Sequence, residues 1–189
     1  MFGQPNVDAA TPDPVSPAAQ GPLNYAAAAL AIAKLDTEAI VRVSRDPMAL
    51  VIGAVVSLIV SAVSIVARSI FSGATLPIAA VVVGPIIGLV VSAVTTGAVH
   101  VLAKVMFQAN GTLVGLLRVL WLGSFVSLVA VIPIPILGAL VAGIWSLLIT
   151  MVTFQEVDAI ERLQALGLSI VVSLGFGALL GALTRMLVP

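Results

Sequence analysis

His100 and Lys104 stand four residues apart, a spacing that puts both on one face of a helix. Arg118, Glu156, Asp158 and Glu161 follow them in a stretch that is otherwise almost wholly apolar. Three cations or potential cations facing three carboxylates suit two kinds of chemistry: ion pairing between elements, and recognition of a polar partner or a lipid headgroup. Metal chemistry is a poor fit. A metal needs three or four convergent N, O or S ligands, and the chain has one His and no Cys. A proton relay needs an acid inside the apolar spans, and the sequence places none there. No Ser stands with both a His and an acid in an arrangement that would activate it. Gly84 and Gly88 open no phosphate loop, because no basic phosphate-binding sequence follows them. The expectation is therefore a binding protein with no cofactor and no metal, not an enzyme.

Those residues need elements to position them, and the composition says what kind. The chain has 189 residues, 61% hydrophobic and 8% charged, where a soluble domain carries about 45–50% and about 25%. The eight Lys and Arg balance the eight Asp and Glu, so no net basic field exists to attract nucleic acid. With a mean hydropathy of +1.26, the fold class is all-α: a polytopic membrane protein whose partner is first of all the lipid bilayer.

Five helices are expected to cross the membrane. Residues 48–67 contain no charge, and Arg68 closes them; 76–103 contain only His100, with Pro85 predicting a kink or a late helix start; 112–132 contain Arg118. Residues 136–154 and 166–184 contain no charge. Each run matches or approaches the roughly 20 residues that span about 30 Å of hydrocarbon. The polar connections place Lys104, Glu156, Asp158 and Glu161 at one end of the bundle. There Arg118, and with it Lys104, is expected to pair with Glu156, Asp158 or Glu161 and tie the second, third and fourth spans together. His100, at its helix end, is expected to bond a carbonyl or a loop carboxylate.

Before the spans, residues 1–22 hold five of the eleven prolines and no Lys or Arg, the composition of a disordered tail and not of a signal peptide. Residues 23–46 read as an amphipathic helix lying on the membrane surface, with Asp36 or Thr37 available as a cap and Glu38 and Arg42 spaced as an ion pair. Asp46-Pro47 reads as an N-cap with proline in the first turn, starting the membrane domain, residues 47–189.

An odd number of crossings puts the termini on opposite sides. With the N-terminus inside, Lys34, Arg42, Arg45, Lys104, Arg118 and Arg162 are inside and Arg68 and Arg185 outside. The positive-inside rule thus predicts a cytoplasmic N-terminus and an outer C-terminus. Small residues recur at four-residue spacing, with Gly84, Gly88, Gly97, Gly143, Gly177 and Gly181 as candidate helix-packing positions. They serve packing within the bundle, or association with another membrane protein or a second copy. Trp121 and Trp145 fall near mid-span and read as packing residues. Ile132-Pro133-Ile134-Pro135 reads as a tight apolar hairpin near the outer surface.

The run His100-Val101-Leu102-Ala103-Lys104, then Gly111-Thr112, Leu116-Leu117-Arg118, Ile132-Pro133 and Leu137-Gly138 resembles the Yip1-domain family, over roughly residues 36 to 188. The resemblance implies a five-helix integral membrane protein with a cytoplasmic N-terminus. Eukaryotic members are membrane-trafficking proteins of the ER and Golgi that associate with Rab-type GTPases. Their Asp-Leu-Tyr-Gly-Pro motif is absent here, and Met106 to Asn110 stand where many prokaryotic relatives carry a glycine-rich turn. The chain is more similar to bacterial Yip1-domain proteins, which implies the inner membrane, with the endomembrane system second. Taken together, the expected function is a scaffold or accessory protein that binds other membrane proteins; the alternatives are a small permease or channel and a trafficking factor.

Overall fold

The computed structural model describes residues 24–73, 75, 78–131 and 135–187. The expected tail and most of the Ile132–Pro135 hairpin lie outside the described residues. Among those described, the secondary structure is wholly helical. In chain order the elements are α1 (Tyr25–Ala33), α2 (Thr37–Arg45), α3 (Met48–Ser72), α4 (Ile78–Phe107), α5 (Leu113–Gly123), a 3-10 segment (Ser124–Val131), α6 (Pro135–Asp158) and α7 (Arg162–Leu187).

Four helices, α3, α4, α6 and α7, are long and apolar enough to cross a membrane. The expected count of five helices is not reproduced, because the third span does not form one helix. It starts as expected, with the Thr112 hydroxyl capping Gly115 N–H at 3.1 Å. It then tightens at Gly123-Ser124, where the Ser124 hydroxyl donates to the Trp121 carbonyl at 2.7 Å, and continues as a 3-10 turn. A hydroxyl feeding back into its own turn competes with helix continuation, and Gly123 offers the least resistance to the change.

Most other boundaries shift outward, while α3 starts at Met48 as expected and α4 at Ile78. α3 runs past Arg68 to a left-handed Gly73 (φ 64°), whose N–H bonds the Ser69 and Ile70 carbonyls. α4 begins seven residues before Pro85 and continues through it, so the expected late start does not occur. α6 opens on Pro135, the position where a missing N–H costs nothing, and continues four residues beyond Phe154. α7 begins at Arg162, with the Gln164 side chain accepting from Glu161 N–H at 3.3 Å. The 155–165 connection therefore shrinks to Ala159, Ile160 and Glu161, and Asp158 moves from a loop into the last helical turn.

The expected surface helix is replaced by a helical hairpin. Asn24 and Asp36 cap α1 and α2, and the chain reverses at Leu35 in a left-handed conformation (φ 61°). The open end is closed by Tyr25, whose hydroxyl donates to Asp46 Oδ2 at 2.9 Å, while Asp46 Oδ1 caps α3 through Met48 N–H at 2.9 Å. The hairpin is docked and not free on a surface: Ile32, Ile40 and Val43 are fully buried in a core shared with Ala49, Val119, Leu122, Val126 and Ile149. Ile32 enters at Gly123, where a Cβ would come within 3.0 Å of its Cγ2. An apolar stripe that packs on α5 and α6 is a stronger partner than a lipid interface, because it meets fixed, complementary side chains. Glu38 and Arg42 are both exposed, and no ion pair joins them among the described residues.

A second core joins the final turns of α4 and α6 to α5 and the start of α7, through Val99, Ala103, Leu116, Met151, Phe154, Ala165 and Leu168. Both cores sit toward the end of the bundle where α4 and α6 finish, referred to below as the His100 end. Elsewhere the long helices turn apolar side chains outward, as at Ile70 (72% exposed), Ile78 (84%) and Leu174 (68%). That much apolar surface on one chain is what a lipid-covered protein presents.

Candidate functional site

His100 lies in the last third of α4, on the face it shares with Val99 and Ala103, and that face is buried. The extension of α6 brings Asp158 up to it: His100 Nδ1 stands 3.2 Å from Asp158 Oδ2, with side-chain exposures of 7% and 0%. These two residues, 58 apart in sequence, form the one ion-pair contact among the described residues. A buried carboxylate needs such a partner, because removing a charge from water costs several kcal/mol unless another charge or hydrogen bond compensates.

The α4–α5 connection wraps around the same carboxylate. Asn110 N–H donates to the Asp158 carbonyl at 3.1 Å. Gly111 lies so close that a Cβ there would overlap Asp158 Oδ1 and the Val157 carbonyl. Among the described glycines only Gly73 has a positive φ, so Gly111 is required for space and not for backbone conformation. Asp158 Oδ1 is buried with no hydrogen-bond partner. Two residues of this corner adopt the left-handed region without being glycine, Gln108 and Ala159, both at φ 54°. Each ends its helix abruptly there, at a strain of roughly 1–3 kcal/mol.

The remaining expected members do not join. Among the described residues Arg118 makes no ion pair; its Nη1 donates to the Ser44 carbonyl at 2.8 Å, 74 residues earlier, and its Nε is buried without a partner there. The Arg118 bond has a simple cause. α2 ends beside α5, its last carbonyls lack helical partners, and a guanidinium satisfies one of them while sitting at the negative end of the helix dipole. Lys104, Glu156 and Glu161 are exposed; of these, only the Lys104 charge is near enough to act on Asp158. So the six-residue staple between spans reduces to one buried pair, and Arg118 fastens the hairpin instead.

The candidate packing glycines divide as well. Gly84 faces Ile65 of α3, whose Cδ1 would lie 2.9 Å from a Cβ there, and Gly97 faces Leu113 of α5 (3.6 Å), whereas among the described residues a Cβ at Gly88, Gly143, Gly177 or Gly181 would meet no other element within 4 Å. A close approach to the backbone of a neighbouring helix uses Gly53, absent from the four-residue pattern, where a Cβ would meet Leu122 N at 3.0 Å and Trp121 Cβ at 3.2 Å. Trp121 is half-buried, whereas Trp145, expected as a packing residue, is 39% exposed; both make specific bonds. Trp121 Nε1 donates to Ser92 Oγ at 3.3 Å, and Trp145 Nε1 to the Ala33 carbonyl at 2.7 Å.

Sequence reasoning missed Ser44, Ala33 and the Tyr25–Asp46 clasp, since nothing local shows a backbone carbonyl or an aromatic as a long-range partner. Gly111 did carry a signal: a glycine directly before the cap residue Thr112, where no turn requires it. The other buried polar side chains are Thr95, Thr96, Thr150, Thr153 and Ser169. Thr95, Thr150, Thr153 and Ser169 each bond a carbonyl four residues back on their own helix. Among the described residues, no three His, Asp or Glu converge as a metal site would require. No family model, curated protein or solved structure matches the chain.

Proposed function

We propose that this is a non-enzymatic integral membrane protein that serves as a scaffold or accessory subunit for another membrane protein. The observation that carries the reading is the state of α7. Among the described residues it packs mainly on α6 and α4, exposes Val171, Leu174 and Leu179, and leaves Gly177 and Gly181 open. Open small residues let a partner helix approach backbone to backbone, which drives association where the hydrophobic effect does not. A second copy of the chain would use the same face.

The reading includes five crossings. α5 and the 3-10 segment, placed end to end, reach about 32 Å at 1.5 and 2.0 Å per residue, which suffices for the third. With the Lys and Arg distribution, this puts the N-terminus and the His100 end in the cytoplasm and the C-terminus outside. The likeness of residues 100–138 to Yip1-domain proteins supports that orientation and a bacterial inner membrane. The test is purification from native membranes in mild detergent. A stoichiometric membrane partner is expected with the wild type and not with a Gly177→Leu, Gly181→Leu double variant; a bare monomer from wild-type membranes sinks the reading.

A small permease is the second reading. It is favoured by the distribution of buried polar side chains, since Thr95, Thr96, His100, Thr150, Thr153, Asp158 and Ser169 all belong to α4, α6 and α7. Solute or proton flux in proteoliposomes distinguishes it.

A further inference from the structure

We propose that His100 and Asp158 form a proton-binding site whose occupancy decides whether the α4–α5 connection stays docked on the bundle. The sequence alone leaves no acid within the spans, but the lengthened α6 delivers one, fully buried, to the only histidine in the chain. With one proton held between them, the imidazolium Nδ1–H donates to the Asp158 carboxylate and the buried charges cancel. When that proton leaves for water, a neutral imidazole faces a buried carboxylate whose Oδ1 has no hydrogen bond. An uncompensated buried charge is the costly state, and the cheapest escape is local opening.

What opens is set by the geometry. Asn110 bonds the carbonyl of Asp158, and Gly111 packs on its Oδ1, so the connection is seated on this residue. Gln108 and Ala159 flank it in left-handed strain that release would relieve. No other group compensates inside the site. α4 also brings Lys104, which acts on the carboxylate from the surface. α5 brings Arg118, committed to Ser44. Glu156 of α6, Glu161, Arg162 of α7, and Arg42 and Arg45 of α2 are exposed. The device makes this face of the protein responsive to the pH on its own side of the membrane.

The chain suits the test because it has one His and no Cys. In the full-length protein in nanodiscs, a cysteine at buried Ala109 reports opening, and one at exposed Thr37 corrects for thiol reactivity. Between about pH 5 and 8, the range in which histidine switches, the Ala109-to-Thr37 labelling ratio should rise by up to about tenfold per pH unit on the acid side of the transition, the limiting slope of one-proton linkage, and level off above it. The midpoint should coincide with the His100 titration followed by NMR of the same protein, and the rise should vanish in His100→Gln and in Asp158→Asn. A flat ratio, a midpoint separate from the imidazole titration, or a transition surviving in either variant overturns the proposal. The coincidence of midpoints is read on the wild-type pair, so the proposal stays testable if a variant does not fold.

Discussion

The indole N–H of Trp145 donates to the carbonyl of Ala33 at 2.7 Å, joining residues 112 positions apart. Ala33 is the last residue of α1, so its carbonyl has no helical partner. Trp145, midway along α6, supplies one at the tip of the hairpin, while Arg118 supplies one to Ser44 at its base. The hairpin is thereby pinned at both ends by side chains from the long helices, with Ile32, Ile40 and Val43 buried between.

Trp145→Phe keeps an aromatic ring, smaller by the fused pyrrole, and removes the donor. One neutral hydrogen bond is worth about 1 kcal/mol net, so local opening of the hairpin should increase roughly fivefold. Labelling of a cysteine placed at buried Ala29 would measure it.

Arg118 separates the observed arrangement from an ion-pair staple. Arg118→Met keeps the stem and loses the bond to Ser44, and should lower stability by about 1–2 kcal/mol, with the labelling at Ala29 rising in step. Glu156→Gln and Glu161→Gln remove exposed charges that pair with nothing, and should each change stability by no more than about 0.5 kcal/mol. Thermal unfolding in detergent compares all three.

Gly111→Ala forces a methyl into the volume of Asp158 Oδ1 and the Val157 carbonyl. One of those is backbone, so the connection must shift, at about 1–3 kcal/mol and a fall in Tm. Gln108→Gly and Ala159→Gly should do the opposite. Each relieves a left-handed non-glycine residue and should raise stability by about 1 kcal/mol. A rise in Tm for both, measured beside the fall for Gly111→Ala, is the expected pattern.

Tyr25, the only tyrosine, has its hydroxyl pushed above the usual phenol range by burial, then by its hydrogen bond to Asp46 and the nearby Asp46 charge. A raised folded-state value means the clasp is fully present below the ordinary tyrosine range and is lost as pH rises through the raised one. Absorbance of the single tyrosinate should therefore titrate above pH 10 in the folded protein and return toward about 10 in denaturant. Tyr25→Phe should remove the alkaline loss of hairpin docking.

Membrane labelling addresses the crossings. Single cysteines at Thr75 and Asn110 should react from opposite sides of sealed vesicles, and labelling of both from one side would exclude the proposed path of α4.

Much of the fold was legible in the residues. Long charge-free runs can only be satisfied as helices in lipid, since a backbone without water must bond within itself, and this fixes α3, α4, α6 and α7 to within a few residues. The caps at Asp36 and Asp46 were readable too, because capping is a local exchange of hydrogen bonds. His100 was expected to bond a carbonyl or a loop carboxylate; its partner is a carboxylate, but one in the last turn of α6.

What the residues could not decide were the contacts that depend on which elements end up side by side. Whether Asp158 lies in a loop or in a buried final turn depends on His100 being there to compensate its charge. The site of the Arg118 bond depends on the end of α2, and whether the first two helices rest on a lipid surface or enter the bundle depends on Gly123 and Trp145. Local sequence determined that this chain is a set of apolar helices, by the rule that every backbone group must be paired. Only the tertiary structure chose the partners of its few polar side chains, because those bonds join residues 58, 74 and 112 positions apart.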